Sequence, residues 1–174
     1  MVMGWRGSRG FTLVELMIAI ALLAILVGIA LPFYQDTIAD QRNRTAANEL
    51  HSALVLARSE AVKRNAVIRV EFTPGLPWRY GLRDAANAEI KHVEGSAFHK
   101  TTMDALALGG GNALWLQPNR GAVTTPAGLP LDSRVVCQSA QGRVACVQFN
   151  PLGRTPLCSP AGATHLMGVT ECAC

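Results

Sequence analysis

The stretch GFTLVE at residues 10–15 leads into the apolar run LMIAIALLAILVGIAL at residues 16–31. The run contains no charged residue, so Glu15 is the only charge from Phe11 to Leu31. About 20 apolar residues are enough for a helix to cross a hydrocarbon core of roughly 30 Å. We therefore predict a membrane-spanning helix over residues 11–31.

The first ten residues, MVMGWRGSRG, contain Arg6 and Arg9 and no acidic residue. Basic residues beside a membrane helix remain in the cytoplasm, which places the rest of the chain outside. An ordinary secretory signal is cut after its apolar region, but no site of the usual small residues follows Leu31 before the charged residues begin. We therefore expect a retained single-pass helix, with the N-terminus inside and the C-terminus outside.

Beyond Pro32 the sequence becomes amphipathic, and apolar residues recur at intervals of three and four. This stripe consists of Ala46, Leu50, Ala53, Leu54, Ala57 and Ala61. The pattern predicts that the helix continues over residues 32–64 with one buried face. Gly28 and Pro32 predict a kink or local melting, because proline removes a backbone hydrogen bond and clashes with the preceding turn. The alternative is that a membrane helix tolerates both residues.

After Asn65 the helical period is lost. Alternating residues predict two strands at 67–73 and 78–83, joined as a hairpin by the turn PGLP. Further strands are predicted at 134–139, at 143–150 and near 165–170, whereas residues 85–113 give only weak signals. The predicted fold class is α+β, with a long N-terminal helix packed on an antiparallel sheet in a head formed by residues 65–174.

All five cysteines lie in the last quarter of the chain, on the side predicted to be exported: Cys137, Cys146, Cys158, Cys172 and Cys174. An oxidising compartment permits disulfides there. If the residues QG at 141–142 form a hairpin turn, Cys137 lies opposite Cys146 at a separation that a disulfide can span. We predict this bridge, and a second one from Cys158 to either Cys172 or Cys174. A zinc site is not expected, because the last two cysteines lack the usual two-residue gap.

No catalytic constellation is recognisable in the sequence. The four histidines are dispersed, and there is no nucleophile motif, phosphate-binding loop or calcium loop. We expect no enzyme activity, no cofactor and no metal. The net charge of +4 includes both arginines of the first ten residues, and this excess is too weak to indicate nucleic-acid binding by itself.

The stretch GFTLVE after a short basic segment resembles the prepilin class of signal. This resemblance implies a leader peptide over residues 1–10, cleavage between Gly10 and Phe11 by a prepilin peptidase, and N-methylation of Phe11. It also implies that Glu15 pairs with the N-terminal amine of a neighbouring subunit during assembly. Such a role would explain a carboxylate that costs about 2.5–3.5 kcal/mol inside a membrane helix. The alternative is a Glu15 side chain that reaches back to water.

The segments LHSAL at 50–54, ARSEAVKRN at 57–65 and WRYGL at 78–82 resemble the GspH/FimT group of minor pilins and pseudopilins. The resemblance implies a pilin fold and a minor type IV pilin, which primes assembly or lies near the tip of a pilus. The implied partners are other major and minor pilins, through the N-terminal helix, and the prepilin peptidase. The expected location is the inner membrane of a Gram-negative cell before assembly, and a periplasmic or extracellular filament afterwards.

Two alternatives share these features. One is a minor pseudopilin of a type II secretion system, which is built from the same parts. The other is a DNA-binding pilin, because some members of the group use a C-terminal Gly-Arg-x-Arg motif. The corresponding element here is GRTP at 153–156, which leaves Arg154, with Arg143 or Arg134, as the candidate DNA contacts. Phosphate binding needs several cations acting together, so DNA binding is not favoured.

Overall fold

The computed structural model describes residues 11–98, 101–106, 108, 111–119, 122–125, 134–140, 143–149, 154–160 and 169–172. The chain divides into two compact units, Met1–Thr37 and Ile38–Cys174, which we call the N-terminal unit and the C-terminal unit. The predicted leader peptide at residues 1–10 lies outside the described residues.

Helix α1 extends over 52 residues from Leu13 to Arg64. Asn65 adopts a positive φ of 48°, which is the left-handed conformation that commonly ends a helix. The N–H of Ala66 donates to the carbonyl of Ala61 at 3.2 Å, and the N–H of Asn65 donates to that of Val62 at 3.3 Å. This pair of bonds is a Schellman motif, so the helix ends where its periodicity ends in the sequence.

Helix α1 is continuous through Gly28 and Pro32. The predicted local melting between these two residues is therefore not present in this structure, and the predicted kink stays a prediction. Proline removes one hydrogen bond from the ladder, and the bonds on either side are enough to keep the backbone helical. Membrane helices tolerate both residues in this way.

Ten strands follow α1 in the described residues. They are β1 (Ile68–Thr73), β2 (Arg79–Arg83), β3 (Glu89–Glu94), β4 (Thr102–Leu106), β5 (Ala113–Leu116), β6 (Val123–Thr124), β7 (Arg134–Ala140), β8 (Arg143–Phe149), β9 (Leu157–Pro160) and β10 (Thr170–Cys172). They form two five-stranded sheets, with the orders β3-β2-β1-β5-β6 and β10-β9-β8-β7-β4. All the pairings are antiparallel except that of β9 with β10, which is parallel.

The buried stripe predicted for the second half of α1 is confirmed, because all six of its residues are at most 2% exposed. This face belongs to one hydrophobic core together with side chains from both sheets. At the centre of the core Trp78 stacks on Tyr80, with ring centroids 6.0 Å apart, and on Phe98, at 5.4 Å. The indole Nε1 donates to the hydroxyl of Thr101 at 3.0 Å, so the buried polar atom of Trp78 is satisfied.

Gly95 allows the backbone to approach the indole ring of Trp78. Its N–H donates to the carbonyl of Trp78 at 2.6 Å. A Cβ atom at this position would lie 2.7 Å from the ring. Glycine is therefore required here by close packing and not by its backbone angles.

Candidate assembly surface

The N-terminal unit exposes an entire apolar helix face. Every large apolar side chain from Leu13 to Leu31 is between 52% and 74% exposed. This part of α1 is long and apolar enough to cross a membrane, and none of this segment is buried by the described residues. A surface of this size and polarity is typical of a membrane or protein contact.

Glu15 and Thr12 form the first turn of this surface. The backbone N–H of Glu15 donates to the hydroxyl oxygen of Thr12 at 3.2 Å, and the N–H of Leu16 donates to the Thr12 carbonyl at 3.2 Å. Thr12 is therefore the N-cap of α1, and Glu15 occupies the third helical position, as in a capping box. The sequence analysis did not identify Thr12, although the spacing Thr-x-x-Glu before an apolar run signals this cap.

The carboxylate of Glu15 forms no ion pair with any residue that the structure describes. Its position in the first turn is favourable, because the N-terminal end of a helix carries a partial positive charge. Phe11 is 83% exposed, and Gly10 lies outside the described residues. Cleavage between Gly10 and Phe11, methylation of Phe11 and the pairing of Glu15 therefore stay predictions.

The predicted hairpin at the cysteine-rich end has the expected register. Ala140 pairs with Arg143, and Cys137 therefore lies directly opposite Cys146. On its other side Cys146 lies opposite Cys158 of β9. Cys146 and Cys158 are both disulfide-bonded and almost completely buried, at 0% and 2% exposure. The pairings with Cys137 and with Cys172 or Cys174 stay predictions.

Arg154 lines a groove of the C-terminal unit. The groove has a volume of about 560 Å³ and is lined by Leu54, Val55, Arg58, Leu114, Leu116, Val123, Phe149, Arg154, Thr155 and Pro156. Arg58 of α1 lines the same groove as Arg154, and this common surface was not predicted from the sequence. The side chains of Arg143 and Arg134 lie outside the described ones.

Within the described ranges, no three His, Cys, Asp or Glu side chains are grouped as metal ligands would be. His92 lies on the edge strand β3, and its Nε2 is 3.5 Å from a carboxylate oxygen of Glu94. The imidazole thus lies next to two acidic side chains, those of Glu89 and Glu94, on an edge strand.

Residues 46–153 match the family model described as "Type II transport protein GspH". The chain belongs to the GspH family. Residues 5–31 of this GspH-family chain also match the model described as "Prokaryotic N-terminal methylation motif". The first match covers the last part of α1, from residue 46, and strands β1 to β8, and the second covers the apolar first part of α1. The chain is therefore a type IV pilin-like protein of the minor pilin and pseudopilin group.

Relatives share part of the GspH-family chain. A fimbrial protein of Pseudomonas aeruginosa is 41% identical over 69 residues, which are 40% of this chain and 44% of that protein. The type IV major pilin PilE of Neisseria gonorrhoeae is 34% identical over 88 residues, which are 51% of this chain and 46% of that protein. The matched region thus spans less than half the length of these relatives.

The fold is also found in a solved minor pilin. The crystal structure of the type IV minor pilin FimU of Pseudomonas aeruginosa superposes with a TM-score of 0.56 at 19% sequence identity. The superposition covers 72% of this chain and 94% of FimU. At this identity the similarity shows a shared fold, and it confirms the predicted α+β pilin fold of the GspH-family chain.

Proposed function

We propose that this protein is a minor type IV pilin, a structural subunit that primes the assembly of a pilus or lies near its tip. The observation that supports the proposal is the apolar surface of the N-terminal unit, where side chains from Leu13 to Leu31 are more than half exposed. Lipid or neighbouring helices can each cover this surface. The same helix would therefore be a membrane anchor first and a filament contact afterwards.

The processing steps belong to this proposal. A prepilin peptidase would cut between Gly10 and Phe11, methylate the new N-terminal amine and leave a chain with its C-terminal unit outside the inner membrane. The N-terminus of α1 would then carry a positive amine within one turn of Glu15. The Glu15 carboxylate would pair with the amine of a neighbouring subunit, so that both charges are neutralised as the subunit leaves the bilayer.

The cysteine-rich end would stabilise the exported unit. We propose bridges between Cys137 and Cys146, and between Cys158 and either Cys172 or Cys174. The pairing of β7 with β8 supports the first bridge, because directly opposed residues are within reach of a disulfide. No catalytic step is assigned to the protein, which we regard as a structural subunit and not an enzyme.

The test is the incorporation of the full-length chain into filaments sheared from cells. Glu15→Ala should lower incorporation by about tenfold or more, because the variant would leave the N-terminal amine of the neighbouring subunit without its partner. Tenfold corresponds to only about 1.4 kcal/mol, and an unpartnered charge in a membrane costs about 2.5–3.5 kcal/mol. The amount of the variant in the membrane fraction should not fall. Glu94→Ala is the matched control, since Glu94 is 62% exposed on an edge strand of the C-terminal unit.

Normal incorporation of Glu15→Ala would contradict the pairing role and would favour the alternative that Glu15 reaches to water. Loss of the protein from the membrane fraction would instead indicate a defect in insertion. Incorporation of Glu94→Ala should match that of the parent chain in every case.

A second candidate is a minor pseudopilin, because the family model over residues 46–153 is described as a type II transport protein. The two functions differ in the filament that receives the subunit. Deletion of the gene should remove surface pili and leave protein secretion intact if the first proposal is correct. Intact pili together with a loss of secreted proteins would identify the pseudopilin instead.

A further inference from the structure

A second cleft of the C-terminal unit lies on the outer face of the first sheet, beside the loop that joins β2 to β3. It is lined by Val67, Arg69, Asp84, Ala85, Asn87 and Trp115, and we call it the Trp115 cleft. Buried and half-buried residues alternate along β5, and Trp115 is one of the half-buried ones, so its indole ring lies on the face away from the core. The volume of about 500 Å³ lies in the range of sites that bind ligands in proteins.

The indole ring of Trp115 forms the apolar wall of this cleft. Arg69 of β1 lies directly opposite Trp115 in the sheet, so the two side chains are neighbours. In the core, the Nε1 of Trp78 donates to the hydroxyl of Thr101. The Nε1 of Trp115, in contrast, has no hydrogen-bond partner among the residues that the structure describes, and it is open to solvent. Trp115 therefore offers both an apolar face and a donor to an outside molecule.

The loop beside Trp115 is held by its own hydrogen bonds. The Oδ1 of Asp84 accepts from the N–H of Ala86 at 3.0 Å and from that of Ala88 at 2.8 Å. The N–H of Asn87 donates to the carbonyl of Asp84 at 2.9 Å. The Nη2 of Arg69 donates to the Oδ1 of Asn87 at 2.9 Å, which fixes the side-chain amide. The wall of the cleft is thus arranged in advance, and a ligand would need little ordering of the protein.

Two polar side chains of the cleft keep capacity for further hydrogen bonds. Because the Oδ1 of Asn87 accepts from Arg69, the Nδ2 of Asn87 keeps two N–H donors for another molecule. The Oδ2 of Asp84 accepts from the Nη1 of Arg64 at 3.3 Å, and a carboxylate oxygen can accept a second bond. The charges of Arg69 and Asp84, the two charged residues of the lining, cancel. The cleft therefore combines an apolar plane with donors and an acceptor, and carries no net charge.

We propose that the Trp115 cleft binds a neutral saccharide. One face of a sugar ring consists of C–H groups, which pack on the indole, and the rim carries hydroxyl groups, which both donate and accept. These hydroxyl groups accept from the Nδ2 of Asn87 and the Nε1 of Trp115 and donate to the Oδ2 of Asp84. The inference goes beyond the proposed function, because it assigns a ligand to the C-terminal unit and does not depend on entry into a filament.

Two other kinds of ligand fit the cleft less well. A nucleotide could stack its base on Trp115, but the guanidinium of Arg69 already lies 3.1 Å from the carboxylate of Glu71, and Asp84 would repel a phosphate. Phosphate binding needs several cations acting together. An apolar peptide would remove the amide of Asn87 from water without giving it a hydrogen-bond partner, which costs free energy.

The first test is binding of small saccharides to the full-length chain. The chain is kept in a detergent without a sugar headgroup, because a glycoside detergent would compete for the cleft. Lactose, maltotriose and the N-acetylglucosamine trimer are the saccharide probes, and adenosine monophosphate is the charged comparison. Saturation-transfer nuclear magnetic resonance should show C–H groups of at least one saccharide in contact with the protein. Isothermal titration calorimetry then gives the dissociation constants.

Trp115→Ala tests the apolar wall of the cleft. It should weaken saccharide binding by about tenfold or more, because a truncated aromatic anchor commonly dominates the loss of affinity. Trp115→Phe should lose less affinity than Trp115→Ala, since it keeps a ring and loses the N–H donor. Near-ultraviolet circular dichroism shows whether each variant retains the packed core.

Asn87→Asp tests the donors at nearly constant shape. The aspartate keeps an acceptor for Arg69 and tolerates the positive φ of 64° at this position, but it has no N–H to donate. Binding should weaken by about two- to tenfold. Asn119→Asp is the matched control, because Asn119 is exposed and does not line the cleft, and its affinity should equal that of the parent chain.

Three results would overturn the proposal. The first is that none of the three saccharides binds. The second is that the affinity is unchanged in a folded Trp115→Ala chain. If that variant does not fold, an unchanged affinity in Asn87→Asp decides against the proposal instead. The third is that adenosine monophosphate binds more tightly than every saccharide, which would indicate a nucleotide site.

Discussion

The same helix has opposite surroundings in the two units of the chain. In the N-terminal unit Leu22 is 57% exposed, whereas Leu50 in the C-terminal unit is 0% exposed, although both lie on α1. The C-terminal unit buries one face of the helix with its own sheets. In the N-terminal unit no described residue covers the apolar side chains of the helix, so this surface is available to lipid or to another subunit. The contrast separates the residues that stabilise the fold from those that serve assembly.

Leu50→Ala should cause the largest loss of stability, and it tests the contrast between the two units most strongly. Truncation of a fully buried leucine should cost about 2–5 kcal/mol in the free energy of unfolding, because a cavity remains in the core. Leu22→Ala is the matched control and should change this value by less than about 0.5 kcal/mol. Both are measured by denaturation of the full chain in detergent, followed by the near-ultraviolet circular dichroism of its aromatic core.

Filament incorporation should show the reverse order of the two variants, with a larger loss for Leu22→Ala than for Leu50→Ala. Leu22 would contribute only once neighbouring helices cover it. A Leu22→Ala variant that destabilised the isolated chain as strongly as Leu50→Ala would break the comparison. It would show that the first half of α1 packs within its own chain.

A smaller effect is expected at Tyr80, which is 1% exposed and whose hydroxyl has no hydrogen-bond partner in the described part of the chain. Burial raises the pKa of Tyr80 above its ordinary value of 10.0, and the charge of Glu49 raises the pKa further. The folded state therefore favours the neutral phenol. Its contribution to stability is complete below pH 10 and is lost as the pH rises above that value.

Tyr80→Phe should accordingly change the stability at neutral pH by less than about 1 kcal/mol, because no hydrogen bond is lost with the hydroxyl. Above pH 10 the variant should lose less stability than the parent chain. Tyr34→Phe serves as the control, since Tyr34 is 67% exposed and does not belong to the buried core. Parallel pH curves for Tyr80→Phe and the parent would contradict this account.

Features with a strong local signal could be predicted from the sequence. The apolar run, the buried stripe of α1 and the hairpin of β1 and β2 follow from regular periods of apolar residues. The register of β7 and β8 followed from a two-residue turn, which fixes every pair along a hairpin. The predicted strand near 165–170 overlaps only the start of β10, and residues 161–168 lie outside the described ones.

Other elements depend on contacts that sequence periodicity does not record. Strand β3 was missed because it lies at a sheet edge, and its Lys91 forms an ion pair of 2.6 Å with Glu49 of α1 instead of packing as an apolar residue. Strands β5 and β6 have four and two residues, which is too short for a clear alternation. The division of the strands into two sheets also required the structure.

In the candidate site, too, residues with a local sequence signal could be predicted and contacts between distant residues could not. Glu15 could be identified from the cost of its charge in an apolar run, and Thr12 could have been found from its spacing. That Arg58 and Arg154 line the same groove could not be predicted, because these parts of the chain are far apart in sequence and have no common motif.

The central claim is that this chain is a processed filament subunit, and the N-terminus of the mature protein tests it most directly. Mass spectrometry of sheared filaments should find the chain beginning at a methylated Phe11, with residues 1–10 removed. A chain that retains Met1 or residues 1–10, or that is confined to the membrane fraction while filaments assemble without it, would contradict the account.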